Sequence, residues 1–539
     1  MALRYKYLRL GLARSMGVLH SMRLVLLAVV VLLVVSGTVA AAPRPFESET
    51  WAAPANGVDV RVLAALKAEE ITPAQPCSDA VFVRRVHLDV TGALPEPSVV
   101  VEFLADTRPD KRALLIDELL AGEAFVDYWT LKWCDLLRVK AEFPINLWPN
   151  GVQAYHRWIR QAVKTNLPYD QFARQLLTAS GSNFRVPPVN FYRAVQSRKP
   201  DGLADAVALT LMGTRFGKWP EARRNDMAAF FSRVEFKPTD EWKEQIIQCS
   251  VAKTEAFDAV FPDGTKVRIA AGSDPRVVFA DWLITPENPW FARSISNRVW
   301  AWLLGRGIIH ESDDIRPDNP ATNPELLRYL EQELVGAKYD LRHLFRLILN
   351  SRTYQQSPVP RSVHPAAEAM FACYPVRRLD AEVLIDALYW VGGSKERYES
   401  RVPEPFTWIP MEQRTIALAD GSITSNFLQM FGRPSRDTGR ESERNSKMSD
   451  GQRLFMLNST DVYKRITESV RLRRVALAAG ADRTKLIQGV YLTLLSREPT
   501  AAEMTKADGY WESSKLSPNQ ATTDLAWALI NSMEFLYRH

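Results

Sequence analysis

The chain has 539 residues, of which 46% are hydrophobic and 24% charged. That composition excludes an intrinsically disordered chain, and four cysteines exclude a disulfide-stapled scaffold. The 68 Lys and Arg residues against 62 Asp and Glu leave a net charge of +6, which at face value hints at nucleic acid or an anionic surface.

Residues 1–42 alter that reading. They contain no acid and carry Arg4, Lys6, Arg9, Arg14 and Arg23. Residues 24–35 are unbroken apolar, and Ser36, Gly37, Thr38, Val39 and three alanines lead to Pro43. A basic start, a short apolar core and a small-residue exit describe a secretory signal peptide, with Thr38-Val39-Ala40 fitting a cut after Ala40. An uncleaved anchor over residues 24–42 is the alternative, since 19 uncharged residues approach the ~20 that span a bilayer. On either reading the protein is exported, to the periplasm or the extracellular space, and meets the membrane only through this segment. The leader takes five cations with it, so the exported chain has 63 cations against 62 acids, or +1. The compositional case for a nucleic-acid partner leaves with it.

Residues 55–250 read as successive helices of an N-terminal domain. Val62, Leu63 and Leu66 mark one apolar face, and Phe125, Trp129 and Trp133 mark another at i, i+4, i+8. Arg84, Arg85, His87 and Asp89 lie on one such helix, Arg85 and Asp89 one turn apart. They read either as an acid/base or anion-binding group or as an ion pair securing the helix near Gly92. Residues 251–272 form a linker with the one strong hairpin signal, Phe261-Pro262-Asp263-Gly264-Thr265-Lys266-Val267. Residues 273–539 form a second helical domain. Asn323-Pro324-Glu325 supplies an N-cap, an N1 proline and an early acid. Residues 393–426 read as a long loop, 432–451 as a polar one, and 519–537 as a last helix. The fold class is therefore mainly α: two helical domains joined near a small β-hairpin, preceded by a signal peptide.

Several motifs occur in a telling order. Phe82-Val83-Arg84-Arg85-Val86-His87-Leu88-Asp89-Val90-Thr91-Gly92 comes first. Asn288-Pro289-Trp290-Phe291-Ala292-Arg293, Asn297-Arg298-Val299-Trp300, Asp313-Asp314-Ile315-Arg316, Asn350-Ser351-Arg352-Thr353-Tyr354 and Phe431-Gly432-Arg433-Pro434 follow. Together they resemble a paired planctomycete family, domain of unknown function 1549 followed by domain of unknown function 1553, over about residues 60–535. The resemblance implies an exported protein, often found beside cytochrome-c-type modules, and brings no established activity. Many relatives carry Cys-x-x-Cys-His where this chain runs from Leu211-Met212-Gly213 to Phe230-Phe231 with neither cysteine nor histidine. A c-type haem needs two thiols and an iron ligand, so no covalent haem, and no other cofactor, is expected. Cys77, Cys134, Cys249 and Cys373 are scattered without ligand spacing, and their disulfide state is open.

Four groups are candidates for a site. Arg433, Arg436, Glu441, Glu443 and Arg444 belong to the densest charged stretch; in a glycan enzyme the two glutamates could serve as acid and base, and in a binding protein they form a paired loop. Asp313, Asp314 and Asp318 offer oxygen ligands to calcium in a loop that lacks EF-hand spacing, with turn and ion-pair chemistry as the plainer use. Trp148 and Trp408, beside prolines in loops, are the ligand-facing tryptophans, the others being core at helical spacing. The Arg84–Asp89 group is the fourth. No nucleophile elbow, phosphate loop or HExxH zinc motif is present. The expected function is a binding or scaffolding component of the cell envelope, with an envelope protein or polysaccharide as partner. The alternative is an enzyme acting on polysaccharide through the carboxylates and arginines of 433–444.

Overall fold

The computed structural model describes residues 46–48, 54–250, 252–402, 407–514 and 516–539. The expected leader, cut site and anchor over 1–42 lie outside these residues. Helices dominate, as the apolar periodicity requires, and no helix among the described residues is long and apolar enough to cross a membrane.

Local chemistry places the helix ends. Ser78 opens the Asp79–Thr91 helix by accepting from Val81 N, and Gly92 closes it at φ +59°. Asn323 caps the Pro324–Gly336 helix as its sequence predicts, its Oδ1 accepting from Leu326 N at 3.0 Å. The 261–267 signal forms the expected antiparallel hairpin, here β4 (Phe257–Val260) and β5 (Lys266–Ile269).

Three further strands lie where the sequence reads as helix. β1 (Gly181–Ser182), β2 (Val234–Pro238) and β3 (Gln245–Cys249) form an antiparallel sheet in the order β1-β3-β2. Val234, Phe236, Ile246 and Ile247 are β-branched or aromatic residues that favour strand, and Pro238 ends β2 before the turn. The C-terminus departs as well. The last helices are Pro518–Ile530 and Met533–Leu536, after which β7 (Tyr537–Arg538) pairs antiparallel with β6 (Arg377–Arg378).

One apolar cluster runs through both halves of the chain. Trp129, on the Glu123–Leu136 helix, meets Phe345 with ring centroids 4.2 Å apart and Trp302 at 5.5 Å. Trp129 and Trp133 are thus core, as their spacing suggests. All four cysteines are unbonded, and burial raises the Cys134 thiol to a pKa of about 12.

Candidate functional site

The Arg84–Asp89 group is committed to the core, with relative exposures of 1%, 1%, 8% and 2% for Arg84, Arg85, His87 and Asp89. Ligand contact, one of the two uses expected of it, is closed to it in this fold. Arg84 donates to Leu494 O and Phe535 O, and Arg85 to Tyr354 O and Gln356 O. The one-turn Arg85–Asp89 pair does not form, because Arg85 lies over the Tyr374 ring instead, 3.8 Å from its centroid. Asp89 accepts from Tyr354 Oη at 2.9 Å, Tyr374 Oη at 2.8 Å and Arg377 Nη2 at 2.9 Å.

The arginines of 433–444 do converge, but inward. Arg444 grips Glu382 with two bonds of 2.7 and 3.0 Å and Asp135 with one of 2.6 Å. Arg436, fully buried, donates to Asp135 Oδ1 at 2.8 Å. Arg433 donates to Ile423 O and lies 3.5 Å from Glu382. Glu443 closes its own loop, accepting from the Asp437 and Thr438 amides and from Thr438 Oγ1. Glu441 and Glu443 both line a small pocket with Arg298 and Arg444, but Glu441, 4.0 Å from Arg298, is the one not bound into its own loop. The acid/base pair read from the sequence therefore lacks its second carboxylate.

This buried ionic network extends to residues that sequence reasoning missed. Lys132 donates to Asp380 Oδ2 at 2.8 Å, and Tyr128 and Arg538 share that oxygen at 3.1 and 3.2 Å. Pairing of β6 with β7 sets Arg377 beside Arg538, and Asp89 stands between them, 2.9 and 3.5 Å away. Burial raises the pKa of Asp380, but Lys132, Arg444 and Arg538 outweigh it and hold the carboxyl well below its usual range. The sequence did carry a signal for Lys132, a lone cation on a helix turn between Leu131 and Trp133.

The calcium candidates are occupied by cations of the chain itself. Asp313 accepts from Arg215 at 3.0 Å, Asp314 from Lys218 at 3.1 Å and Asp318 from Arg316 at 2.6 Å. Trp148 meets Trp242 edge-on at 5.0 Å and lies beneath Lys243. Trp408 is 67% exposed.

A cleft of about 650 Å3 is lined by Asp314 and Asp318 with their cation partners and, opposite them, by residues that were not candidates. Arg223 lies over the Trp219 ring at 4.0 Å and the Trp290 ring at 5.7 Å, and its Nε donates to Pro262 O at the hairpin tip. Asn288 Oδ1 accepts from the Trp290 and Phe291 amides, which fixes Trp290 at the start of the Phe291–Leu304 helix. Arg293, one turn on, pairs with Glu331 across the cleft wall at 2.7 Å. Asn297 clamps Ile309 through both its amide and carbonyl, so the segment that forms the far wall is fixed. Helical spacing suggests a core position for Trp290. Its ring is half-buried and faces the cleft.

A mainly helical chain with two successive regions meeting across a shared core is thus the class defined by the fold. Residues 57–217 match the family PSCyt2, a protein of unknown function (DUF1549), and residues 275–511 match PSD1, a protein of unknown function (DUF1553). The chain belongs to this paired family. No curated protein and no solved structure matches it. Trp219, Arg223 and the hairpin lie between the two matched regions.

Proposed function

We propose that this protein is an exported binding component of the cell envelope, and that a polysaccharide chain occupies the cleft at Trp219 and Trp290. The observation that carries the reading is the Trp219–Arg223–Trp290 stack. Half-buried indole faces give flat apolar platforms for sugar rings, and the guanidinium between them supplies donors for hydroxyls. The cleft volume suits an extended ligand. Export rests on the leader-like composition of residues 1–42. The near-neutral charge of the remaining chain favours a glycan or envelope protein over nucleic acid. The proposal calls on no cofactor, and the chain offers no Cys-x-x-Cys-His for covalent haem.

Hydrolysis of polysaccharide is the competing reading, and it needs two carboxylates flanking one bond. Glu443 is engaged by its own loop, which favours binding over turnover. Calorimetric titration against a panel of polysaccharides tests this. One or more should bind, and Trp219→Ala and Trp290→Ala should each weaken that binding about tenfold. No binding across the panel, or variants that bind like the native protein, would reject the cleft. Sugar release that is lost in Glu441→Gln would replace binding with catalysis.

A further inference from the structure

A second cavity, about 300 Å3, ends the Lys132–Asp380 network and shares no lining residue with the cleft. It opens to solvent beside His310 and Lys447, both exposed. Its wall carries six permanent cations, Lys132, Arg306, Arg377, Arg444, Lys447 and Arg538, against three carboxylates, Glu311, Asp380 and Glu441. Asp380 is taken by Lys132 and Arg538, and Glu311 by Arg215, which lies outside the cavity. Neither Arg306 nor Lys447 forms an ion pair among the described residues. Partial desolvation and the neighbouring Arg306 lower the pKa of His310, outweighing Glu311 and Glu368.

The wall also holds donors without acceptors. Arg306 Nε, Arg377 Nε and Nη1, and Ser312 Oγ are buried and make no hydrogen bond. These atoms are sealed from the chamber itself, so its attraction for a negatively charged oxygen comes from the excess of cations on its wall, above all Arg306 and Lys447. Trp302 forms an aromatic wall, braced from behind by Trp129 and Trp133. The volume is at the lower end of small-ligand pockets and accommodates a single sugar ring.

We propose that this chamber binds the oxyanion group of an acidic sugar, with the ring against Trp302 and the anion facing Arg306, Arg377 and Lys447. The site does not depend on the polysaccharide cleft. The sugar could arrive free or as the end of an acidic chain, and both present the same group.

Calorimetry on the full chain tests it with glucuronate, neutral glucose, inorganic sulfate and a polygalacturonate oligomer. Glucuronate should bind, glucose should not, and added salt should weaken the binding. Heat from the oligomer alone would support the same chemistry on a chain end. Arg306→Gln/Lys447→Gln removes two charges that no carboxylate offsets, so its melting temperature should match the native value while affinity falls about tenfold or more. Trp290→Ala should leave glucuronate binding unchanged, which separates this site from the cleft. No heat from any anion, glucose binding as well as glucuronate, sulfate binding as tightly as glucuronate, or an unaffected double variant would each overturn the proposal.

Discussion

Lys132 and Asp380 meet at 2.8 Å, both almost fully buried, one in each of the two matched family regions. Removing charges from water costs several kcal/mol per ion, and only close, multiply bonded partners recover it. Asp380 has three such partners in Lys132, Tyr128 and Arg538. The substitution Asp380→Asn keeps the volume, strands the buried Lys132 and leaves Arg538 only its longer ion pair with Asp89. It should lower the unfolding free energy by about 3–5 kcal/mol, seen as a reduced urea midpoint at constant slope. An unchanged midpoint would show that water reaches these cations.

Glu443 holds the 433–444 loop by accepting from two of its amides and one hydroxyl. Glu443→Ala should release the Asp437 and Thr438 amides to faster hydrogen exchange and cost roughly 1–3 kcal/mol. Arg436 and Arg444, anchored to Asp135, should keep the ends of the loop protected. Exchange rates across 435–443 equal to those of the native protein would remove this role from Glu443.

The helical class, the hairpin and the Asn323 cap were legible because each depends on residues close in sequence: a repeat of three to four, a turn dipeptide, a side chain reaching three residues on. The candidate sites were less legible because they depend on closure. Nothing local reveals that Arg377 and Arg538, 161 positions apart, pair across β6 and β7. Arg433, Arg436 and Arg444 could be recognised as a cluster, yet their targets Asp135 and Glu382 sit on distant helices. Periodicity placed Trp129 and Trp290 alike in the core, and only tertiary packing separates the buried ring from the one at the cleft.

Gly92 closes its helix at φ +59°, and a Cβ there would come within 2.6 Å of the Tyr128 ring. Tyr128 cannot yield freely, since its hydroxyl donates to Asp380. Gly92→Ala should cost more than the ~1–2 kcal/mol of a left-handed backbone alone. Gly264, at φ +91° in the hairpin turn with open space around it, provides the comparison. The two alanine variants should separate in thermal denaturation, Gly92→Ala melting lower; equal melting temperatures would mean that the ring contact carries no energy.

Calcium should not stabilise the protein. Asp313, Asp314 and Asp318 would have to give up Arg215, Lys218 and Arg316 to bind it. Among the described residues, no group of three or more metal-ligating side chains is assembled. Melting curves with excess calcium and with chelator should superimpose. A calcium-dependent rise that disappears in Asp313→Asn would restore the metal reading of this loop.

His87 makes stability depend on pH with a definite sign. Burial lowers its pKa from 6.5 to about 4, against a smaller opposing effect of the hydrogen bond to Val83 O. Between those values the unfolded chain binds a proton that the folded chain refuses, so stability rises with pH across that window. The contribution is complete above about 6.5, is lost progressively as the pH falls toward 4, and amounts to roughly 3 kcal/mol. Other buried groups add their own dependence, so the comparison with His87→Leu isolates this one. Denaturant unfolding from neutral pH down to about 4 should show a smaller loss in the variant than in the native protein. Parallel profiles would mean that His87 takes up its proton without unfolding the helix around it.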